Sequence, residues 1–310
     1  MKNYPETLKA NDIIRIVCPS GHLKREFTEK LIELLEKWDY KVQLGSTVGF
    51  GNSYFAGTDE ERKNDLQMAL DDPNVKAIFM GRGGYGMSRI IDELDFTEFI
   101  KQPKWIVGFS DITILLNHIY THFQIPSIHG PMAKQFHDAF NFSANKALWN
   151  VNNIFQNNWK EYTFENNSEF NKNGYTEAVL VGGNLSLITH AIGTDSAIDF
   201  KGKILFIEEV GEYLYAIDRM LMQLYRVGVF QEIAGLIIGG FTELKDTVRP
   251  FGMDIKNILN AYVKNENYPV CFDFPAGHGM VNFPLIIGGN YSLKVERNSM
   301  HLQLIDKSIS

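Results

Sequence analysis

Short apolar runs alternate with segments of helical period through the first half of the chain. The runs rich in apolar and β-branched residues predict buried strands at residues 13–18, 41–44, 75–80 and 105–107. Helical spacing predicts helices over 26–37, from Thr58 (a capping box with Glu61), over 88–93 and after Asp111. This alternation is typical of an α/β fold, a parallel sheet with helices on both faces.

The alternation fails near residue 138. Residues 138–175 are rich in Asn and Phe without a clear period, and loops and edge strands are predicted within them over 156–167 and 171–174. Beyond them, strands are predicted at 176–181, 203–207, 233–238 and 270–274, helices at 215–227 and 254–263, and further strands in 285–305. A chain of 310 residues is long for one core. We therefore predict an N-terminal α/β domain over 1–140, a linker over 141–175 and a C-terminal domain over 176–310.

Composition and charge narrow the function classes. The net charge of -7 comes without long runs of either sign, which argues against a nucleic-acid or polybasic membrane surface. The amino end lacks the apolar core of a signal peptide, and no apolar run approaches about 20 residues. A cytoplasmic protein that does not associate with membranes is expected. Cys18 and Cys271 show neither metal-ligand nor disulfide spacing, so we interpret both as small buried residues.

Ser110 follows a short apolar strand and a glycine, and a helix begins directly after it. Such a strand-to-helix turn exposes a hydroxyl and directs helix N–H groups at whatever the hydroxyl attacks. The alternative is a helix cap, the more common function of a serine before a helix. The turn alone favours the cap, and the decision rests on the rest of the chain.

Two other positions offer acid–base chemistry. His278 lies between two glycines just after a strand, where the chain can bend sharply and bring the ring close to other groups. Glu208 and Glu209 end the strand at Ile207, at the edge where α/β proteins hold ligands. Period-two alternation sends one carboxylate inward and the other outward without choosing between them. The alternative remains that His278 is an exposed loop residue and that Glu208 and Glu209 are solvated charges at a strand end.

The glycine run 81–86 follows another strand. It is neither a P-loop nor a dinucleotide fingerprint, so phosphate binding, an oxyanion hole and a plain tight turn stay open. The order serine, acid, histidine matches α/β-hydrolases, but the glycine that should follow the serine in their elbow is absent. No histidine or cysteine spacing suits a metal, so neither a metal nor a cofactor is predicted.

Six motifs together resemble the LD-carboxypeptidase family of serine peptidases, which includes the microcin C self-immunity proteins. They occur in family order and span nearly the whole chain: residues 81–86, 107–113, 129–132, 182–187, 206–212 and 277–279. The resemblance implies a flavodoxin-like N-terminal domain and a smaller, β-rich, swivelling C-terminal domain, with the site between them. It also implies a homodimer.

By the same resemblance, Ser110 is the nucleophile, Glu208 the charge-relay acid and His278 the base. The family usually has Asp as the second acid, where this chain has Glu209. Chemistry is consistent with these roles, since a serine needs a base and an imidazolium needs a carboxylate. The backbone N–H groups of Gly84 and Asp111 would bind the oxyanion. The charge of Arg82 suggests that it holds the substrate, at its terminal carboxylate.

The expected activity is hydrolysis of an amide bond between an L- and a D-centre, with murein tetrapeptide as substrate and D-alanine as product. The alternative within the family is a self-immunity hydrolase that cleaves a peptidyl-nucleotide antibiotic. A two-lobed binding protein without catalysis is the alternative from another class. The joint presence of Ser110, Glu208 and His278 disfavours it. A small peptide substrate is therefore expected, and no nucleic acid partner.

Overall fold

The computed structural model describes residues 4–51, 53–138, 142–159 and 161–305. The chain divides into two compact units. The first comprises the described residues up to 159 together with 282–287, and the second comprises 161–281 and 288–305.

The strands, in chain order, are β1 (Ile13–Val17), β2 (Lys41–Leu44), β3 (Val75–Met80), β4 (Trp105–Gly108), β5 (Ser127–His129), β6 (Glu161–Glu165), β7 (Gly174–Asn184), β8 (Ile204–Val210), β9 (Gly235–Thr242), β10 (Val270–Cys271), β11 (Leu285–Ile287), β12 (Asn290–Glu296) and β13 (Ser299–Leu304). The α-helices are α1 (Glu29–Glu36), α2 (Asp59–Asp71), α3 (Thr97–Lys101), α4 (Thr113–Phe123), α5 (Ala133–Asp138), α6 (Phe142–Phe155), α7 (Leu185–Ala191), α8 (Leu214–Arg226), α9 (Val229–Glu232) and α10 (Ile255–Val263). Short 3₁₀ turns occur at Arg25–Thr28, Met87–Arg89, Ile91–Glu93 and Ser110–Ile112.

The first unit is built on a six-stranded sheet in the order β11-β5-β4-β3-β1-β2. Its strands pair in parallel except for β11, which pairs antiparallel with β5. The central strands are buried on both faces, as parallel strands covered by helices must be. Trp105, Ile106 and Val107 of β4 are fully buried. The predicted parallel α/β fold is confirmed, and this sheet brings the loops after β1, β3 and β4 to one edge.

The second unit contains a seven-stranded mixed sheet in the order β10-β9-β8-β7-β12-β13-β6. Strands β7 to β10 pair in parallel, whereas β12, β13 and β6 are antiparallel. Helices α7, α8 and α10 contribute Leu185, Leu221 and Ile258 to a core with the apolar residues of β8 and β9. This unit therefore has a core of its own. The parallel pairing of β8 with β9 places the carboxyl ends of these two strands side by side.

Several predicted elements differ from the structure. The predicted helix over 88–93 is two 3₁₀ turns, and the strand predicted over 270–274 ends at Cys271. Helix α6 occupies residues 142–155, in the stretch where a linker without a clear period is predicted. Its buried residues Ala147, Leu148, Val151, Ile154 and Phe155 do recur at helical spacing. The asparagines between them obscure that pattern in the sequence.

Candidate active site

A tight turn joins β4 to α4 and carries Ser110. The strand ends at Gly108, Phe109 stays extended, and Ser110 has a φ of 61°. That angle lies in the left-handed region, which residues with a side chain rarely adopt. Gly108 has no room for a side chain, because a Cβ there would lie 2.9 Å from Met80 Cγ. A strained serine on a strand-to-helix turn is typical of nucleophilic serines.

The helix-cap explanation does not fit Ser110. Phe109 occupies the cap position of the 3₁₀ turn, and Ile112 occupies that of α4. Within the part of the chain that the structure describes, Ser110 Oγ makes no hydrogen bond. The Ser110 hydroxyl therefore does not accept a hydrogen bond from a backbone N–H group at the start of the helix.

The glycine loop after β3 lies against Ser110. A Cβ on Gly83 would lie 2.8 Å from Ser110 Cβ and 2.9 Å from Ser110 Oγ, so only glycine fits there. Gly84 has a φ of 108°, a conformation that again favours glycine. Its N–H has no acceptor among the described residues. The loop thus offers an uncommitted backbone donor of the kind that an oxyanion hole uses.

The Asp111 side chain ties the serine turn to two neighbouring loops. This carboxylate is fully buried, and its Oδ2 accepts hydrogen bonds from Ser20 Oγ at 2.6 Å and from Met87 N at 2.7 Å. Ser20 follows β1, and Met87 follows the glycine loop. One carboxylate therefore fixes three loops against each other. The sequence predicts a function only for the Asp111 backbone N–H, because it contains no sign of these long-range partners.

A buried arginine of α2 braces the same loops. The Arg62 guanidinium is fully buried, donates to the backbone oxygens of Pro19 and Gly86, and pairs with Asp59. Burial lowers the pKa of Arg62, and the Asp59 carboxylate opposes that shift. A Cβ on Gly86 would lie 2.6 Å from Arg62 Nη1, so this contact too requires glycine. Nothing in the sequence indicates this function of Arg62, which lies in an ordinary polar stretch of α2.

Arg82 belongs to the glycine loop and is half-buried. Its Nη1 donates to the His22 backbone oxygen at 2.9 Å. A guanidinium has five N–H donors, and this bond uses one of them. The remaining donors are compatible with the predicted contact to substrate.

The second unit brings together the predicted acid and base. Glu208 is fully buried at the end of β8, and its Oε2 accepts hydrogen bonds from His278 Nδ1 at 2.6 Å and from the His278 backbone N–H at 3.1 Å. Because a carboxylate only accepts, Nδ1 carries a proton, and in the neutral ring Nε2 is left as the basic nitrogen. Gly277 has a φ of 98°, and a Cβ there would lie 2.7 Å from Glu208 Cβ. The glycine before His278 permits this close approach.

The neighbouring acid, Glu209, has different partners. Its Oε1 accepts from Asn184 Nδ2 at 3.0 Å and Val210 N at 2.9 Å, and its Oε2 accepts from Ser186 N at 2.8 Å and Ser186 Oγ at 2.7 Å. Burial raises its pKa, although these hydrogen bonds oppose the shift. Glu209 therefore holds the start of α7, and Glu208 is the acid that contacts His278.

The predicted site residues are thus divided between the units. Ser110, Gly84, Asp111 and Arg82 belong to the first, and Glu208 and His278 belong to the second. Among the described residues, no group of three His, Cys, Asp or Glu side chains could hold a metal ion. In the same residues, no helix is long and apolar enough to cross a membrane.

Both cysteines are buried and neither forms a disulfide. Burial raises the pKa of the Cys18 and Cys271 thiols to about 12. Both are therefore protonated at neutral pH, which leaves little thiolate to act as a nucleophile or as a metal ligand.

Comparison with known proteins gives matches over most of the chain. Residues 14–130 match the LD-carboxypeptidase N-terminal domain, and residues 177–293 match the LD-carboxypeptidase C-terminal domain. The "Probable murein peptide carboxypeptidase" of Bacillus subtilis is 31% identical over 301 residues, which cover 94% of this chain and 92% of that protein.

Solved structures give similar matches. The crystal structure of muramoyltetrapeptide carboxypeptidase from Oxalobacter formigenes has a TM-score of 0.84 and 28% identity, covering 95% of this chain and 99% of that one. The microcin C7 self immunity protein in complex with aspartyl sulfamoyl adenosine has a TM-score of 0.86 and 20% identity, and the match covers 98% of this chain and 99% of that one. At that lower identity the second likeness concerns the fold alone.

Proposed function

Because this chain belongs to the LD-carboxypeptidase family, as its six motifs predict, we propose that it is a serine carboxypeptidase that releases the terminal D-alanine of murein tetrapeptide. The observation that carries this proposal is the Glu208–His278 pair. It leaves Nε2 of a partly exposed imidazole as a base, with a buried carboxylate on the other ring nitrogen. The names of the relatives support the choice of a murein peptide.

In the proposed mechanism, Ser110 Oγ attacks the amide carbonyl while His278 Nε2 takes the serine proton. The carbonyl π electrons move onto oxygen, and the backbone N–H groups of Gly84 and Asp111 stabilise that oxyanion. Each such donor contributes about 3 kcal/mol of transition-state stabilisation. Collapse of the intermediate breaks the C–N bond, and His278 returns the proton to the leaving amine. Water then hydrolyses the acyl-enzyme by the same steps.

Two charged groups have supporting functions in this proposal. Glu208 stabilises the imidazolium that forms when His278 takes the proton. Arg82 binds the terminal carboxylate of the substrate, since a guanidinium suits a planar anion. The Ser110 turn supports the nucleophile assignment, because its hydroxyl is not used in capping. The buried bonds of Asp111 and Arg62 keep the loops around the serine in fixed positions.

The test is incubation of the purified protein with murein tetrapeptide and, separately, with a peptidyl-nucleotide, with products read by mass spectrometry. We expect tripeptide and D-alanine from the first, and no product when Ser110→Ala replaces the wild type. Turnover of the peptidyl-nucleotide alone would make this chain a self-immunity hydrolase. Turnover of neither would contradict the proposal.

We propose in addition that the protein is a homodimer, as the family resemblance implies. Size-exclusion chromatography with light scattering should report twice the mass of one chain. The mass of a single chain across the working concentration range would contradict this.

A further inference from the structure

The place of the His278 ring depends on how its main chain is held. The segment before it runs beside β9, with Phe274 N donating to Ile238 O and Gly240 N donating to Ala276 O, both at 2.9 Å. Gly240 and Gly277 form an isolated bridge one step further on. The segment is therefore fixed to the sheet until the residue before His278.

His278 itself lies between two glycines, so its two flanking peptides can rotate more freely than most. After Gly279 the chain continues to Met280, whose side chain is 90% exposed. Neither residue offers a buried side chain that would anchor the loop on this side. The backbone after His278 therefore needs a restraint other than a buried side chain if His278 Nε2 is to keep a fixed position.

Thr242 supplies such a restraint. Its Oγ1 donates to the His278 backbone oxygen at 3.0 Å. Thr242 is the last residue of β9, and its own backbone pairs with Val210 and accepts from Gly211 N at 2.9 Å. The hydroxyl is thus mounted on a rigid strand end next to β8, the strand that carries Glu208.

We propose that Thr242 is a positioning residue for the base of the reaction, and this inference rests on the proposed function. Glu208 Oε2 fixes the His278 backbone N–H and Nδ1, while Thr242 fixes the carbonyl on the other side of the same residue. Holding both sides stops the residue from turning about its neighbouring glycines. Thr242 touches no reacting atom in this mechanism and acts through His278.

The informative variant is Thr242→Val, which keeps a β-branched side chain of similar volume and replaces the hydroxyl with a methyl group. A displacement of about 1 Å in a reacting group can lower the rate about 100-fold. Loss of one of several restraints should have a smaller effect, and we expect kcat to fall about 10-fold with KM within about twofold of wild type. Thr242→Ser restores the donor and should recover most of kcat.

A second readout reports the geometry directly. The proton between His278 Nδ1 and Glu208 should give a downfield resonance in the proton NMR spectrum, assigned by its loss in His278→Ala. That resonance should broaden or shift in Thr242→Val and return in Thr242→Ser. The matched control is Thr194→Val, which removes a threonine hydroxyl bonded to the Ala191 backbone oxygen at 2.7 Å. It should change neither kcat nor the resonance.

Wild-type kcat and an unchanged resonance in Thr242→Val would overturn the inference, and so would a Thr242→Ser variant as impaired as the valine. If Thr242→Val does not fold, Thr242→Ala takes its place against the same serine rescue. Activity remaining in Ser110→Ala or His278→Ala would instead refute the proposed function. If Ser110→Ala and His278→Ala are inactive but Thr242→Val has wild-type kcat and an unchanged resonance, only the positioning function of Thr242 is refuted.

Discussion

Glu208→Gln and Glu209→Gln apply the same change to two adjacent buried acids with different partners. Glutamine at 208 can place its oxygen where Oε2 lies and keep both hydrogen bonds to His278. The variant loses the negative charge, and its NH₂ replaces Oε1, a buried atom without a hydrogen-bond partner among the described residues. The imidazolium formed during attack then lacks its counter-charge. In a Ser-His-Asp enzyme the comparable amide substitution lowers kcat by about 10⁴-fold, but there the amide also holds the imidazole in the wrong tautomer, so this figure is an upper limit. We expect a loss of about 10² to 10⁴-fold here, or about 3–5 kcal/mol.

Glutamine at 209 should affect stability instead. Two donors point at each oxygen of Glu209, so the amide NH₂ must face either Ser186 or the Asn184 and Val210 pair. The Ser186 hydroxyl can turn to accept, but the backbone N–H groups cannot. At least one buried donor is left without an acceptor, which costs about 1–3 kcal/mol of unfolding free energy. Because Glu209 does not contact His278, kcat should stay within about threefold of wild type.

The assay measures kcat for D-alanine release at saturating tetrapeptide, beside urea unfolding of both variants and the wild type. The expected result is a much larger kcat loss in Glu208→Gln than in Glu209→Gln, although both variants are less stable than the wild type. Equal kcat losses in two folded variants, or a larger loss in Glu209→Gln, would refute the assignment of Glu208 as the partner of the base.

Three further predictions concern the nucleophile, metals and a buried lysine. Ser110→Ala should fold normally and lose several orders of magnitude in kcat, whereas activity within about tenfold of wild type would exclude a nucleophile. Dialysis against EDTA should leave activity unchanged, because serine, histidine and carboxylate complete the chemistry; zinc-restored activity would contradict the mechanism. Burial lowers the pKa of Lys104 from 10.5 to about 8. Between these two pH values the Lys104 amine is protonated in the unfolded chain and deprotonated in the native state, so the native state gains stability as the pH rises. Wild-type stability relative to Lys104→Met, measured by urea unfolding, should therefore rise by about 2–3 kcal/mol between pH 8 and 10.5, and a flat difference would contradict this.

Elements with a strong local pattern are predictable from this sequence. Strands β2 and β3 match the predicted residues 41–44 and 75–80, and Thr58 forms the predicted capping box with Glu61. Strand β11 is different. Its residues look like those of any short apolar strand, and nothing local indicates that they pair with β5, more than 150 residues earlier. Such pairing depends on the whole fold, so a single sequence does not reveal it.

The same distinction applies to the candidate site. Ser110, Gly84 and His278 stand at turns directly after predicted strands, where the local sequence pattern alone makes them candidates. Arg62 and Thr242 are ordinary residues of a helix and a strand, and their importance comes from backbone oxygens that are distant in sequence. Hydrogen bonds to a backbone leave no trace in the partner's residue type, so sequence patterns do not identify them.

Period-two alternation predicts the burial of the acidic pair Glu208 and Glu209 incorrectly, and the structure gives a physical reason. Strict alternation sends adjacent strand residues to opposite faces, so it predicts one buried carboxylate and one exposed one. Instead, both Glu208 and Glu209 are buried, and the register between β8 and β9 shifts between Ile207 and Glu209. Such an irregularity re-aims side chains next to functional sites. Once both acids are inside, burial no longer distinguishes them, and only their partners do: His278 for Glu208, and Ser186 with Asn184 for Glu209.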